Sequence, residues 1–347
     1  MGKDIVLVCD YHDQNLVFCW FNEVTGEVRT LKRRTEPAAI SEVLTEAMQA
    51  AGVQGGQVVW IMESTTGWAR VQPLVERDSA FLTVNVLQVA LPPKAKRRKT
   101  DKLDTARLLR EYEHGQLPRA YQPSRSVRRL RRVVDCHQSL IRRRTALRNY
   151  LNRYLAHETW VDRPDLSAIK GRRSLAELAR GQRGWDRHVL QQKLGELEAV
   201  MLRIAELEAT LERVARRWAT ARRIDAIRGI GPIGAVAIAA RIGDVRRFGS
   251  AEQLIGYAGL APAVRQSDQT CRHGRLAGAG TDALLRHYVI EASVWARQLP
   301  RYEKTYGRVA KRRGSKVGRL VVARSLLRSV YVMLRDGVAF EPTRQAA

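Results

Sequence analysis

Two apolar runs of strand length each end on an acid. Residues 4–10 read DIVLVCD and close on Asp10, and residues 57–62, QVVWIM, lead directly into Glu63. Runs this short and this rich in β-branched residues are predicted to be buried strands, which leaves each carboxylate at a strand end. Residues 15–21, NLVFCWF, give a second strand, and NEVTGEV supplies the next turn and the start of another, a hairpin-like meander. Good helix formers fill 38–51, 67–78 also read as helical, and 80–87 as a further strand. Strands alternating with helices predict an α/β domain with a mixed sheet over residues 1–122.

The chain then changes character. PPKAKRRKT, residues 92–100, is basic and without apolar periodicity, and reads as a loop or arm. A helix is predicted over 101–115, stopped by Gly115 and Pro118. Residues 123–219 form a basic helical or coiled-coil region. Its first helix, 124–156, carries ten arginines between Arg125 and Arg153 against one acid, Asp135, so phosphate contact is favoured over a merely solvated face. Its second, 188–217, has a near-heptad apolar seam interrupted by Glu208. That seam fits an antiparallel hairpin with the preceding helix, or a second subunit. The block 220–337 places a glycine hairpin between helices at 227–248 and a helix at 251–258. Irregular chain from 259 turns helical near Thr281. A basic stretch, 308–319, leads into a helix over 317–335, and 338–347 reads as a tail.

Charge restricts the partners. The chain of 347 residues has 61 Lys and Arg against 35 Asp and Glu, a formal net charge of +26. Such self-repulsion is relieved by a polyanion, and the arginine excess suits bidentate phosphate contacts. A basic structural or ribosome-associated protein is the alternative. Cys9, Cys19, Cys136 and Cys271 form no C-x2-C pair, which argues against a thiolate zinc site. The opening apolar run is too short for a signal peptide, and no window approaches a membrane span, so the expected compartment is the cytoplasm.

Asp101 and Asp104 stand three apart at the start of a predicted helix, on neighbouring positions of one face. With Asp10 and Glu63 they make a four-carboxylate set. Clustered carboxylates repel unless a cation lies between them, and an all-oxygen set suits Mg2+ or Mn2+ in phosphoryl transfer. Lys94, Lys96, Arg97, Arg98 and Lys99 would meet the polyanion on its way in. Taken singly, Asp101 also reads as a helix cap and Asp10 as a strand end beside a turn.

Two further segments carry chemistry. GIGPIGA, residues 229–235, resembles the turn of a helix-hairpin-helix element, in which backbone amides at Gly229 and Gly231 hold phosphate; a close-packed helix corner is the alternative. Ser267 lies in VRQSDQTCRHGR among Arg265, Arg272, His273 and Arg275, a setting in which a hydroxyl attacks a phosphodiester or simply contacts phosphate. Arg128, Arg132 and Arg143 complete the predicted nucleic-acid contacts.

Together these motifs resemble the DEDD transposases of bacterial insertion sequences that use a serine nucleophile and a bridge RNA. The resemblance extends over about residues 4–335 and rests on VLVCD, IMESTTG, KTDKLDTARLL and the run GIGPIGAVAIAARIGDVRRFGSAEQLIGYAGLAP. It implies an RNase H-like (RuvC-like) N-terminal domain, a long helical hairpin and a mostly α-helical transposase domain. It implies metal binding by Asp10, Glu63, Asp101 and Asp104, and a covalent link to DNA through Ser267. It also implies donor and target DNA and a bridge-type noncoding RNA as partners, and self-association into dimers or tetramers. The family's Ser-Gly stands here as Ser267-Asp268, and its Lys-x-Gly-Asn as part of Ala277-Gly278-Ala279-Gly280-Thr281. Two other readings stay open: a metal-dependent nuclease using water, and a nucleic-acid-binding copy without activity.

Overall fold

The computed structural model describes residues 4–64, 67–85, 101–158, 164–267, 270–276 and 282–343. The chain divides into two compact units, Met1–Gln122 and Pro123–Ala347.

The first unit is a mixed α/β domain of RNase H-like type. Its strands are β1 (Ile5–Tyr11), β2 (Asn15–Asn22), β3 (Val28–Arg34), β4 (Val58–Glu63) and β5 (Ala80–Val84), in the order β3-β2-β1-β4-β5. The β1–β2 and β2–β3 pairs are antiparallel, as their tight connections require; β1–β4 and β4–β5 are parallel. The crossover from β3 to β4 runs through α1 (Pro37–Val53), and that from β4 to β5 through α2 (Trp68–Val75). The central strands are apolar on both sides because both faces are covered. Ile5, Leu7, Trp60 and Met62 pack against Ile40, Val43 and Leu44 of α1 and Val71 of α2. Val6, Val8, Val59 and Ile61 pack on the opposite face against Leu108 and Leu109 of α3 (Asp101–Glu113). Helix α3 stops near Gly115, which takes φ +67 as the predicted stop demands.

The second unit is largely helical. Helices α4 (Arg125–Glu158) and α6 (Gly184–Arg217) lie antiparallel, with α5 (Ile169–Gly181) packed beside α6. Leu147, Leu151 and Leu155 of α4 meet Leu190, Leu194 and Leu197 of α6 in one buried cluster. The interrupting Glu208 is used: its carboxylate lies 3.2 Å from Nε2 of buried His137 on α4. Of the two arrangements open to the seam, the intrachain hairpin is thus the one formed.

Around the ends of this hairpin fold α7 (Ala219–Asp225), α8 (Pro232–Ile242), α9 (Ala251–Tyr257), α10 (Ala283–Ala296), α11 (Pro300–Arg313) and α12 (Ser315–Asp336). They enclose a core of Ile224, Ile227, Val236, Leu285, Leu326 and Val330, joined by Leu211 of α6 and Val134 of α4.

Two segments differ from the sequence expectation. The chain after 259 is not irregular: β6 (Pro262–Ser267) and β7 (Thr270–Leu276) form an antiparallel hairpin with Ser267 opposite Thr270. Its alternation is hidden because Arg, His and Gly fill positions that a half-buried strand gives to apolar residues. A separate helix, α11, precedes the last one. Its apolar contacts are mostly aromatic and sparse, Tyr302 and Tyr306, so its periodicity is weak in sequence.

Candidate active site

In the first unit, the parallel register pairs Cys9 with Met62, so the next step brings Asp10 level with Glu63 at the C-terminal ends of two adjacent strands. Neighbouring strands lie about 4.8 Å apart. Side chains alternate along a strand. Asp10 therefore follows Val6 and Val8, and Glu63 follows Val59 and Ile61, onto the face covered by α3. Both residues are half-buried.

The direction of α3 decides which of its ends approaches them. Tyr112, near its C-terminus, lies close enough to Asp4 and Glu23 for their charges to raise its phenol, after burial as the larger cause. Asp4 stands just before β1 and donates its backbone N–H to Glu23 at 3.1 Å. The helix thus runs antiparallel to β1, with its last turn at the start of that strand. From Tyr112 back to Asp101 is about 16 Å of helix, and from Asp4 to Asp10 about 20 Å of strand. The first turn of α3, bearing Asp101 and Asp104, accordingly lies toward the strand end that carries Asp10 and Glu63. The side chains of Asp101 and Asp104 lie outside the described atoms. Buried Thr105 and Leu108 anchor the turn behind them.

Four residues missed by the sequence reasoning surround this edge. His12 turns back as the chain leaves β1, and its Nε2 lies 3.3 Å from Asp10 Oδ2. Tyr11 lies against Gly67, whose φ is +80; a Cβ there would fall 2.1 Å from the tyrosine ring. Arg70 on α2 donates to the Tyr11 hydroxyl at 2.9 Å. The only local signal for these was adjacency, Asp10-Tyr11-His12 in sequence; Gly67 and Arg70 are brought in by the crossover after β4. Burial, and then the Asp10 charge, push the Cys9 thiol well up, which keeps it neutral behind the acid.

Asp10 and Glu63 offer oxygen donors on one face, which fits a hard divalent cation such as Mg2+ or Mn2+. Among the described residues, no three His, Cys, Asp or Glu side chains converge as a cluster, and the two aspartates of α3 are outside that count.

The predicted nucleic-acid contacts fall into several settings. Lys94, Lys96, Arg97, Arg98 and Lys99 lie outside the described residues. Arg132 is exposed on α4. Arg128 donates to the Pro123 carbonyl at 2.8 Å, and Arg143 is held by Glu196 through Nε at 2.6 Å. Gly229 takes φ +102 and packs on α10, where a Cβ would meet Trp295 Cβ at 2.7 Å; Gly231 takes φ +46 and faces open space. The glycine corner therefore has one packed residue and one accessible residue between α7 and α8. Arg265 pairs with Arg272 across the β6–β7 hairpin, with Arg275 further along β7 and Ser267 at the tip end; their side chains are outside the described atoms. The hairpin's base is well held: Arg324 Nε donates to the Leu260 carbonyl at 2.6 Å, and the Asp282 N–H to the Tyr257 carbonyl at 3.2 Å. The described helices include none long and apolar enough to cross a membrane.

Comparison with known proteins gives matches in both units. Residues 9–158 match the IS110-type DEDD transposase family, and residues 221–307 the transposases of the IS116/IS110/IS902 family. A candidate transposase of Sinorhizobium fredii, y4qE, is 37% identical over 79 residues, covering 23% of this chain and 20% of that protein. An uncharacterized 42 kDa protein of insertion element IS900 from Mycobacterium paratuberculosis is 34% identical over 118 residues, covering 33% of this chain and 29% of its own length. The chain thus aligns with less than a third of each of these relatives. It is distantly related to the IS110-family DEDD transposases.

Proposed function

We propose, from this distant relationship, that the chain is a DNA transposase or recombinase that cuts and rejoins the DNA of an insertion sequence. The observation that carries the reading is the meeting of Asp10 and Glu63 at adjacent strand ends, on the face toward which the first turn of α3 points. Asp10, Glu63, Asp101 and Asp104 are the proposed ligands of Mg2+ or Mn2+, and His12 orients the Asp10 carboxylate. Bound there, such a cation supplies Lewis-acid stabilisation of phosphoryl oxygens.

Ser267 is the proposed nucleophile. Its Oγ forms a bond to a DNA phosphorus as the bond to one sugar oxygen breaks; the serine proton passes to a base, and the departing oxygen takes up a proton as a free hydroxyl. The phosphoserine bond is then attacked by a DNA hydroxyl, which restores a phosphodiester and the serine. Arg265, Arg272 and Arg275 would compensate the charge of the five-coordinate phosphorus. A bridge-type RNA would pair with donor and target DNA, which suits a protein that contacts mainly backbone. Self-association into dimers or tetramers is part of the same proposal.

The test uses the full chain with element-end DNA, transcripts of the flanking noncoding sequence and Mg2+. DNA attached to protein after denaturation is expected, and Ser267→Ala abolishes the adduct. Asp10→Asn abolishes all processing. Free cleaved ends without an adduct, unchanged by Ser267→Ala, would overturn the serine step in favour of water as nucleophile.

A further inference from the structure

Helix α11 carries a cationic face that lies largely beyond the residues matched to known transposases, which end at 307. Its inner side is fixed by Tyr302, buried in the core, and by Tyr306 and Ala310, which pack closely on Gly318 of α12, where a Cβ would lie 3.0 Å from the Tyr306 ring. The opposite side presents Lys304, Arg308, Lys311 and Arg312, all exposed. At helical spacing the first three follow one stripe, with Gly307 beside them. A Cβ on Gly307 would meet nothing within 4 Å, so the stripe has an open, low centre flanked by cations. Lys316, also exposed, continues it into α12 past Gly314.

These cations are set apart by their density on one helical face. The ion pairs among the described residues include none of the five. Glu303, flanking the stripe, is the sole acid of α11. Fixed cations at roughly 5–6 Å intervals with no internal partner are an unfavourable arrangement unless an anionic polymer neutralises them. Single-stranded nucleic acid is recognised by stacking on exposed aromatic rings, and this face has none, since its two tyrosines are turned inward. Duplex RNA presents phosphates as well, and the choice of DNA between the two duplexes follows from the proposed function. We infer that the Lys304–Gly307–Arg308–Lys311 face of α11, extended by Arg312 and Lys316, seats the phosphate backbone of duplex DNA. Gly307 allows close approach, and the surrounding cations displace the counterions of adjacent phosphates.

The inference rests on the proposed function only for the choice of DNA as the polymer. It is tested by binding alone, so failure of the strand-cutting chemistry leaves it standing. The full chain is titrated against a fluorescently labelled DNA duplex across about 50 to 200 mM salt. Lys304→Ala/Arg308→Ala/Lys311→Ala is compared with Arg173→Ala/Arg180→Ala/Arg203→Ala, which removes the same charge from exposed positions of α5 and α6. The α11 triple should weaken binding by at least about tenfold and reduce the slope of log K on log salt by about three, while the α5–α6 triple changes affinity less than about threefold. Gly307→Trp should weaken binding on the order of fivefold with little change in slope, because it blocks approach without altering charge. Melting temperatures show that each variant is folded. Equal losses from both triples, unchanged binding by the α11 triple, or a duplex RNA competitor that displaces the DNA from the wild type but no longer from the α11 triple would each overturn the inference.

Discussion

Helices α4 and α11 are both dense in cations, and they use them differently. Four of the ten α4 arginines, Arg128, Arg131, Arg143 and Arg148, are turned to internal work. Arg131 donates Nε and Nη2 to the Ala240 and Arg241 carbonyls, closing the C-terminal end of α8 at 2.8 and 3.0 Å. Arg143 holds Glu196 across the hairpin, and Arg148 lies 3.7 Å from Asp165. Lys304, Arg308 and Lys311 of α11 have no such partners among the described residues. A count of arginines therefore does not locate a phosphate-binding face; what decides is whether carboxylates and helix-end carbonyls stand opposite. Gly229 and Gly231 divide in the same manner, one packed against α10 and one open.

The division is sharpest where a residue is committed inward. Gly229→Ala combines a left-handed backbone with a Cβ pressed on Trp295, and should destabilise the second unit by about 2–4 kcal/mol; Gly231→Ala, with the strain alone, should lose only about 1 kcal/mol. Denaturant unfolding of the two variants measures this, and equal losses would break the contrast. Arg131→Ala comes next. Removing a largely buried guanidinium leaves two carbonyls of α8 without their donor, a loss of about 1.5–3 kcal/mol by the same measurement.

Arg143→Ala should have a smaller effect, under about 1 kcal/mol, since the pair is partly exposed. Its pH dependence gives a separate check. The Arg143 guanidinium holds the Glu196 carboxyl below the usual glutamate range. A lowered folded value means that the stabilisation is present above the ordinary glutamate pKa and is lost as pH falls through the folded one. The difference between wild type and Arg143→Ala should accordingly shrink in acid; a difference that persists there would assign the effect to packing. The α11 triple stands at the end of the series, with stability changed by no more than about 0.5 kcal/mol. A large loss would show that the face is structural.

The carboxylate edge was partly legible in the chain. Apolar runs stopping at Asp10 and Glu63 identify strand ends, because an ionised side chain is excluded from the interior of a covered sheet. The pairing of β1 with β4 was not legible. It depends on a crossover that brings residues 5–10 beside 58–63, and only that register sets the two acids level on one face. The approach of α3 depends in turn on Leu108 and Leu109 seating on Val8 and Ile61. The β6–β7 hairpin was hidden for a related reason: its strands are held by backbone pairing and by Arg324 at the base, which leave no apolar pattern behind.

By itself, the sequence determined the elements whose signal is local: the apolar strands and their terminal acids, the long heptad-like helices, the stop at Gly115 and the excess of positive charge. Propensity and periodicity act over a few residues and need no partner to be read. The tertiary structure alone decided that the α6 seam closes on α4, with Glu208 taken up by His137, that Gly229 is packed while Gly231 is open, and which cations are left facing solvent. Each of these depends on a group far along the chain, and contact free energy is set by the partner that the fold supplies.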